Sequence, residues 1–228
     1  SVEWIISDFS NPIFNTSFIK LIKKNLSKHS IVISSISLDL IMDNPLHKLT
    51  KSESLWLSNK IYTAVKFFKI KRVSIPIEER SRFNNKIEKM SALKNLSIIY
   101  NVLKKKCKVC IETDISPRSL INIFNMKKFS QLGILLDLGN TRAHGFDIEE
   151  YFKYFSNRIY SIHIKFRDKS YGKTKILKRK NFYELNYLIK NLHHLKKLVD
   201  ISFQTYKTNK YFLSDMKRSI KNYNYYVK

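Results

Sequence analysis

The chain is poor in glycine, in cysteine, in acidic residues and in long apolar runs. Its 228 residues include four glycines, Gly133, Gly139, Gly145 and Gly172. They do not cluster, so neither a P-loop nor the glycine-rich turn of a dinucleotide-binding fold is present. The two cysteines, Cys107 and Cys110, stand three apart. In a strand, such residues point to opposite faces, which suits neither a disulfide nor a shared metal. No second cysteine pair completes a zinc site, so both thiols are expected to be structural. Apolar stretches run to about seven residues, against the roughly 20 that a membrane helix needs. The chain opens at Ser1 directly into the strand-like VEWII, with no secretory signal visible, and the expected location is the cytoplasm. Neither a linker nor an internal repeat is evident, which predicts one domain over residues 1–228.

The shortage of acid leaves 18 acidic against 43 basic residues, a net charge of +25 and a pI near 9.9. That balance invites a nucleic-acid partner. The distribution argues against one. Lysines are scattered among many Asn, Ile, Tyr and Phe, as in a chain encoded by AT-rich DNA, whereas a surface that tracks phosphates gathers its charge. The densest basic runs are KIKR (69–72), KKK (104–106) and LKRK (177–180). The first two fall near helix ends just before strands, on the side away from the candidate site. What is abundant is apolar: 43% hydrophobic and 13% aromatic residues provide a sizeable core and exclude general disorder.

Seven short runs rich in Ile and Val read as strands buried on both faces: Val2–Ile6, Ile31–Ser37, Arg72–Pro76, Val109–Thr113, Ile134–Leu138, Ser161–Lys165 and Asp200–Gln204. Helical patterns lie between them at Phe18–Lys28, Ser52–Phe68, Ser81–Lys105, Pro117–Asn125, Asp147–Phe155, Phe182–Leu192 and Leu213–Lys221. Leu55, Ile61, Val65 and Phe68 show the helical spacing in the second, and Ser116 and Pro117 make a helix start in the fourth. Strand–helix alternation predicts a parallel sheet with helices outside, a TIM-barrel-like (β/α) domain. A closed barrel of that class has eight strands. One strand is then missing, and the chain reads as truncated at its front.

Four of the runs end in polar residues: Glu112, Asp137, His163 and Gln204. In a barrel of this kind the C-terminal strand ends share one mouth, where chemistry is done. Two carboxylates, an imidazole and a carboxamide gathered there form a ligand set for one divalent metal. Each has a plainer alternative. Glu112 could pair with a lysine. Asp137, in Asp-Leu-Gly-Asn, could serve turn chemistry. His163 could be a core histidine bonded to a backbone carbonyl. Lys165 lies on the same side of its strand as His163; it could bind a substrate oxygen, or form a salt bridge to Asp137 or Asp168.

The pieces IETDISP, LLDLGNTRAHGFD, SIHIKFRD and ISFQTYK, in that order, resemble the sugar phosphate isomerase/epimerase family, with its xylose-isomerase-like TIM barrel. VEWI and VSIPIEE resemble that family's second and fourth strands, so the absent element is strand one. The resemblance implies one divalent metal, manganese, magnesium, cobalt or zinc, held by Glu112, Asp137, His163 and Gln204. It implies aldose–ketose isomerisation or epimerisation of a sugar or sugar phosphate through an enediolate. Glu112 and Lys165 are then the candidate catalytic residues, and Asn140, His144, Lys165 and Arg167 the candidate substrate-binding residues. Moving a carbon-bound proton requires a positioned base, and the enediolate requires a cation beside its oxygens.

Three departures bear on the reading. Gln204 stands where many relatives have a second catalytic Glu; it can ligate a metal but cannot act as a base. The segment ILKRKNFYE replaces a Leu-Gly-x-Gly loop, so Lys178, Arg179 and Lys180 could meet phosphate by charge but without a backbone cradle. Strand one is missing. These features support the alternative of a degenerate, non-catalytic member with the same fold and weak ligand binding. A third class, an abasic-site endonuclease, needs three metals and a richer cluster than the six histidines supply at strand ends. The expected partner is a small sugar or sugar phosphate, with nucleic acid disfavoured, no membrane, and association into a homo-oligomer left open.

Overall fold

Strand and helix alternate from the first residues onward. The computed structural model describes residues 1–169, 174–177, 182–195, 199–204 and 211–227. They fall into two compact units, Ser1–Ile115 with Asn122–Gly133, and Ser116–Ile121 with Ile134–Lys228. Among the described residues, no helix is long and apolar enough to cross a membrane.

The first unit runs β1 (Val2–Ile5), α1 (Thr16–Lys28), β2 (Ile33–Ser37), α2 (Leu40–Asp43), α3 (Lys51–Phe68), β3 (Arg72–Ile77), α4 (Lys86–Leu103) and β4 (Lys108–Thr113). β1 pairs with β2, β2 with β3 and β3 with β4, all parallel. β3 is buried along its whole length and β4 from Val109 onward. Parallel strands covered on both faces need continuous apolar sequence, and RVSIPI and KVCIET come close to that. The helices begin at side-chain caps. Asn15 accepts from the Ser17 N–H, Thr50 and Glu53 form a reciprocal capping box, and Asn85 accepts from the Glu88 N–H. Each satisfies backbone donors that a helix start would leave open.

Ile36, Val73, Ile75 and Ile111 from the strands and Leu57, Ile61, Leu96 and Ile99 from the helices are fully buried. Tyr100 is buried with them, and its hydroxyl accepts from the Gln131 N–H at 3.0 Å. Both cysteines are free thiols, Cys110 buried in β4 and Cys107 half-buried just before it. Burial pushes the Cys107 thiol up to about 12 and raises the Cys110 thiol as well.

Between the units lies α5 (Pro117–Phe124) in sequence, its residues divided between them. The second unit holds most of β5 (Gly133–Asp137), then α6 (Leu138–Ala143), α7 (Ile148–Phe155), β6 (Ile159–Ile164), β7 (Phe166–Arg167), β8 (Thr174–Lys175), α8 (Tyr183–Lys190), β9 (Asp200–Phe203) and α9 (Phe212–Tyr223). β5 pairs with β6 and β6 with β9, both parallel, while β7 and β8 form a small antiparallel pair. Leu136, Ile162, Phe182, Leu185 and Leu188 are buried here.

The seven expected strands all form, with ends shifted by at most two residues. Three features differ from expectation. The helix expected at Ser81–Lys105 is a 3-10 turn at Glu79–Ser81 followed by α4 from Lys86, because Arg82 is extended (ψ 148°) and Asn85 restarts the helix as its cap. The residues after Asp137 form α6 rather than a loop. The β7–β8 pair had no sequence signal. Gly172 and the basic run Lys178, Arg179 and Lys180 lie outside the described residues.

Candidate active site

The second unit builds its site on the register of two strands. Asp137, the last residue of β5, stands level with His163 of β6. Asp137 is also the N-cap of α6: its Oδ1 accepts from the Asn140 N–H at 2.7 Å, and the Thr141 hydroxyl donates to the Asp137 carbonyl at 2.7 Å. Asp is a strong N-cap residue, and here the capping carboxylate is also the strand-end carboxylate. Its other oxygen faces inward. Lys165 Nζ lies 2.8 Å from Asp137 Oδ2, and His163 Nδ1 lies 3.9 Å from the same atom. The Lys165 and Asp137 side chains are 4% and 2% exposed, so this is a buried ion pair. Oδ2 accepts no directed hydrogen bond; its contact with the ammonium is a charge contact.

Lys165 also donates to Gln204 Oε1 at 2.9 Å. Gln204 follows β9 directly, half-buried, and its N–H donates to the Ile164 carbonyl at 3.1 Å, which extends the β6–β9 ladder by one bond. Of the alternatives for Lys165, the salt bridge to Asp137 is therefore present. Asp168, the other candidate partner, contacts Lys175 instead.

Gly139, in the first turn of α6, is what lets Lys165 lie there. A Cβ at that position would come within 2.5 Å of Lys165 Cγ and 2.9 Å of the Lys165 carbonyl oxygen. The backbone oxygen cannot swing aside as a side chain can. Gly139→Ala is therefore expected to cost about 1–3 kcal/mol, the usual range for overpacking, read as a lower urea midpoint. An unchanged midpoint would mean that the strand after His163 yields without cost.

The candidate substrate contacts divide. Arg167 Nη1 donates to Asn140 Oδ1 at 2.6 Å, so these two are joined. His144 sits at the C-cap of α6, where its ring stacks on Phe146 with centroids 5.6 Å apart. One neighbouring group escaped the sequence reading. Arg142 pairs with Glu184 at 3.1 Å and lies over the Phe166 ring, which anchors α6 to α8 and β7. No local pattern links residues 42 positions apart.

In the first unit, Glu112 is level with Pro76 of β3 and 7% exposed. Two residues on, Asp114 takes Arg82 Nε at 3.1 Å on both oxygens and the Glu79 N–H at 2.8 Å. Glu79 is held with φ at 47°, a left-handed conformation that a non-glycine residue adopts only where its surroundings fix it. Asp114 and Arg82 were also missed, although Asp114 lies in the same IETD run as Glu112.

Buried Glu112, Asp137 and His163 are donors of the types that hold a metal ion, the first in one unit and the other two in the second. Two carboxylates and an imidazole suit a divalent transition metal or magnesium. Asp137 Oδ2, deep and without a directed hydrogen bond, is a donor already facing a cation.

No protein-family model and no curated protein matches the sequence. Solved structures do, and the fold they share with this chain is the xylose isomerase-like TIM barrel, as expected. A xylose isomerase domain protein from Planctomyces limnophilus is 15% identical, with a TM-score of 0.73 over 96% of this chain and 84% of its own. The IolI protein, solved with a bound zinc atom, is 14% identical, with a TM-score of 0.72 over 99% of this chain and 87% of its own. An L-ribulose 3-epimerase is 10% identical, with a TM-score of 0.74 over 99% of this chain and 83% of its own.

Proposed function

We propose that this chain is a metal-dependent isomerase or epimerase that interconverts sugars or sugar phosphates, related to the sugar phosphate isomerase/epimerase family. The observation that carries the reading is the buried pair at the ends of β5 and β6: Asp137 and His163 stand level, with Gln204, just past β9, joined to Asp137 through Lys165. A shared fold with an epimerase and with a zinc-bound protein supports it. We take Glu112, near the end of β4, into the same ligand set, because the C-terminal strand ends of this class of fold share one mouth.

A divalent ion held by Glu112, Asp137, His163 and Gln204 would supply positive charge beside a sugar's carbonyl and hydroxyl oxygens. The chain's own residues do the rest. Glu112 takes the proton from the carbon next to the carbonyl and returns it to the former carbonyl carbon, while the proton of the neighbouring hydroxyl passes to the former carbonyl oxygen, so that aldose and ketose interchange. Gln204 ligates through its carbonyl oxygen and cannot share the base's work, so the proposed course has one base and favours isomerisation over a two-base epimerisation. Arg167 and Asn140, already joined, offer donors and an acceptor to sugar hydroxyls. His144 lies further along α6 as a contact for the far end of the substrate.

One observation favours the competing reading, a non-catalytic relative: the Lys165 ammonium already engages Asp137 and Gln204, two of the four ligands. Metal uptake decides between them. Chelator-stripped protein titrated with manganese should bind about one ion per chain, as a single-metal site requires. The loaded protein should then interconvert at least one pair in a panel of sugars and sugar phosphates followed by NMR. No bound metal and no turnover would establish the non-catalytic relative.

A further inference from the structure

We infer that Asp114 is a positioning residue for Glu112: with Arg82 and the Glu79 N–H it clasps the end of β4 to the turn after β3, and so fixes where the proposed base stands. The inference rests on the isomerase reading above. Its basis is a set of bonds gathered where the β3–β4 ladder stops. That ladder sets Pro76 level with Glu112 and Ile77 level with Thr113, and goes no further. Pairing with β3 therefore ends one residue after Glu112, and the chain leaves the first unit after Ile115.

Side chains take over at that point. The Thr113 hydroxyl donates to the Ile77 carbonyl at 2.8 Å and accepts from the Ile115 N–H at 3.1 Å. Asp114, its side chain wholly buried, accepts from the Glu79 N–H at 2.8 Å and faces Arg82 Nε at 3.1 Å with both oxygens, while Arg82 Nη2 donates to Oδ2. The other half of the clasp is equally constrained. The buried Ser81 hydroxyl accepts from the Glu78 N–H at 2.9 Å and reaches the Glu78 and Pro76 carbonyls at 2.8 and 3.2 Å. Glu79 holds its left-handed φ of 47° because these bonds over-determine it. Such an ion pair contributes little net stability, since desolvating the carboxylate offsets much of the attraction. A guanidinium that meets both oxygens of one carboxylate fixes direction instead. What it fixes here is the strand end that carries Glu112, two residues earlier. Proton transfer is steep in geometry, and a misplacement of about 1 Å can cost about a hundredfold.

Two variants open the clasp from opposite sides. Asp114→Asn removes the buried charge. Arg82→Gln removes the fork from a side chain that is 42% exposed, so it tests the proposal even where the first variant does not fold. The first measurement needs neither metal nor activity. Amide hydrogen exchange should quicken roughly tenfold at Glu112 and Thr113, as a local opening of the strand end, and stay unchanged at Val109 and Ile111. A uniform rise along β4, or none at Glu112 and Thr113, makes the pair a stability element only. That result overturns the positioning role and leaves the isomerase reading intact.

The second measurement is kinetic, on manganese-loaded protein and a sugar that the wild type interconverts. Each variant should lower kcat about tenfold or more and leave KM unchanged, the mark of an effect on the transition state alone. The double variant should be no slower than the slower single one, since both open one clasp. Wild-type kcat in folded Arg82→Gln, or losses that add in the double variant, overturns the proposal. A wild type with neither manganese uptake nor turnover overturns the isomerase reading, and the role of Asp114 with it.

Discussion

Glu112→Gln is expected to lower turnover by about 10²- to 10⁴-fold, the range associated with losing a general base, for any sugar that the wild type interconverts. The substitution keeps the size of the side chain and an oxygen able to ligate, so manganese affinity should fall far less than turnover. The reason for so large a kinetic effect is that the other candidates are already committed. Gln204 carries a carboxamide, which does not take a proton near neutral pH. Asp137 is bound on one side by the first turn of α6 and on the other by the Lys165 charge. Measuring kcat and metal affinity on the same preparation separates the two roles of Glu112. Wild-type turnover in the variant would mean that the base lies elsewhere.

Asp137→Asn is expected to destabilise the metal-free chain by about 3–5 kcal/mol, the usual result of removing one partner of a buried ion pair. Asparagine caps helices as well as aspartate does, so the contact with the Asn140 N–H is preserved and the loss reports on charge. The Lys165 side chain, 4% exposed, loses the carboxylate 2.8 Å away. Combining Asp137→Asn with Lys165→Met should recover much of the loss, since the double variant removes the charge that the single one leaves behind. Urea unfolding of the four proteins closes a double-mutant cycle. Losses that simply add would mean that the two residues do not depend on each other.

The strands were legible because parallel strands buried on both faces need unbroken apolar runs, and such runs are short and bounded here. Strand ends were legible for the same reason: Glu112, Asp137 and His163 interrupt runs that are otherwise Ile, Leu and Val. The helix after Asp137 was not. Leu-Gly-Asn-Thr-Arg-Ala contains a glycine and an asparagine, which read as turn residues. Only the structure shows that Asp137 caps this segment and that Gly139 is small because Lys165 passes over it. The salt bridge between Lys165 and Asp137 was one of the alternatives the sequence left open; its bond to Gln204 was not foreseen. Pairs such as Arg82 with Asp114 and Arg142 with Glu184 join residues far apart in the chain. Each member reads locally as an ordinary surface charge, and only tertiary packing brings it to its partner.

The two cysteines bear on how any metal measurement is interpreted. Thiolates are common adventitious traps for zinc and cobalt, and they often dominate uptake by proteins that have no true site. Here one thiol is half-buried with its pKa pushed up to about 12, and the other is buried within β4 with its own pKa raised by the same cause. At neutral pH both stay protonated, and a protonated thiol is a poor ligand. The chain thus has a silent sulfur background. Ions that it retains after gel filtration would sit on oxygen and imidazole, and the thiolate charge-transfer band of a cobalt complex should be missing from its spectrum.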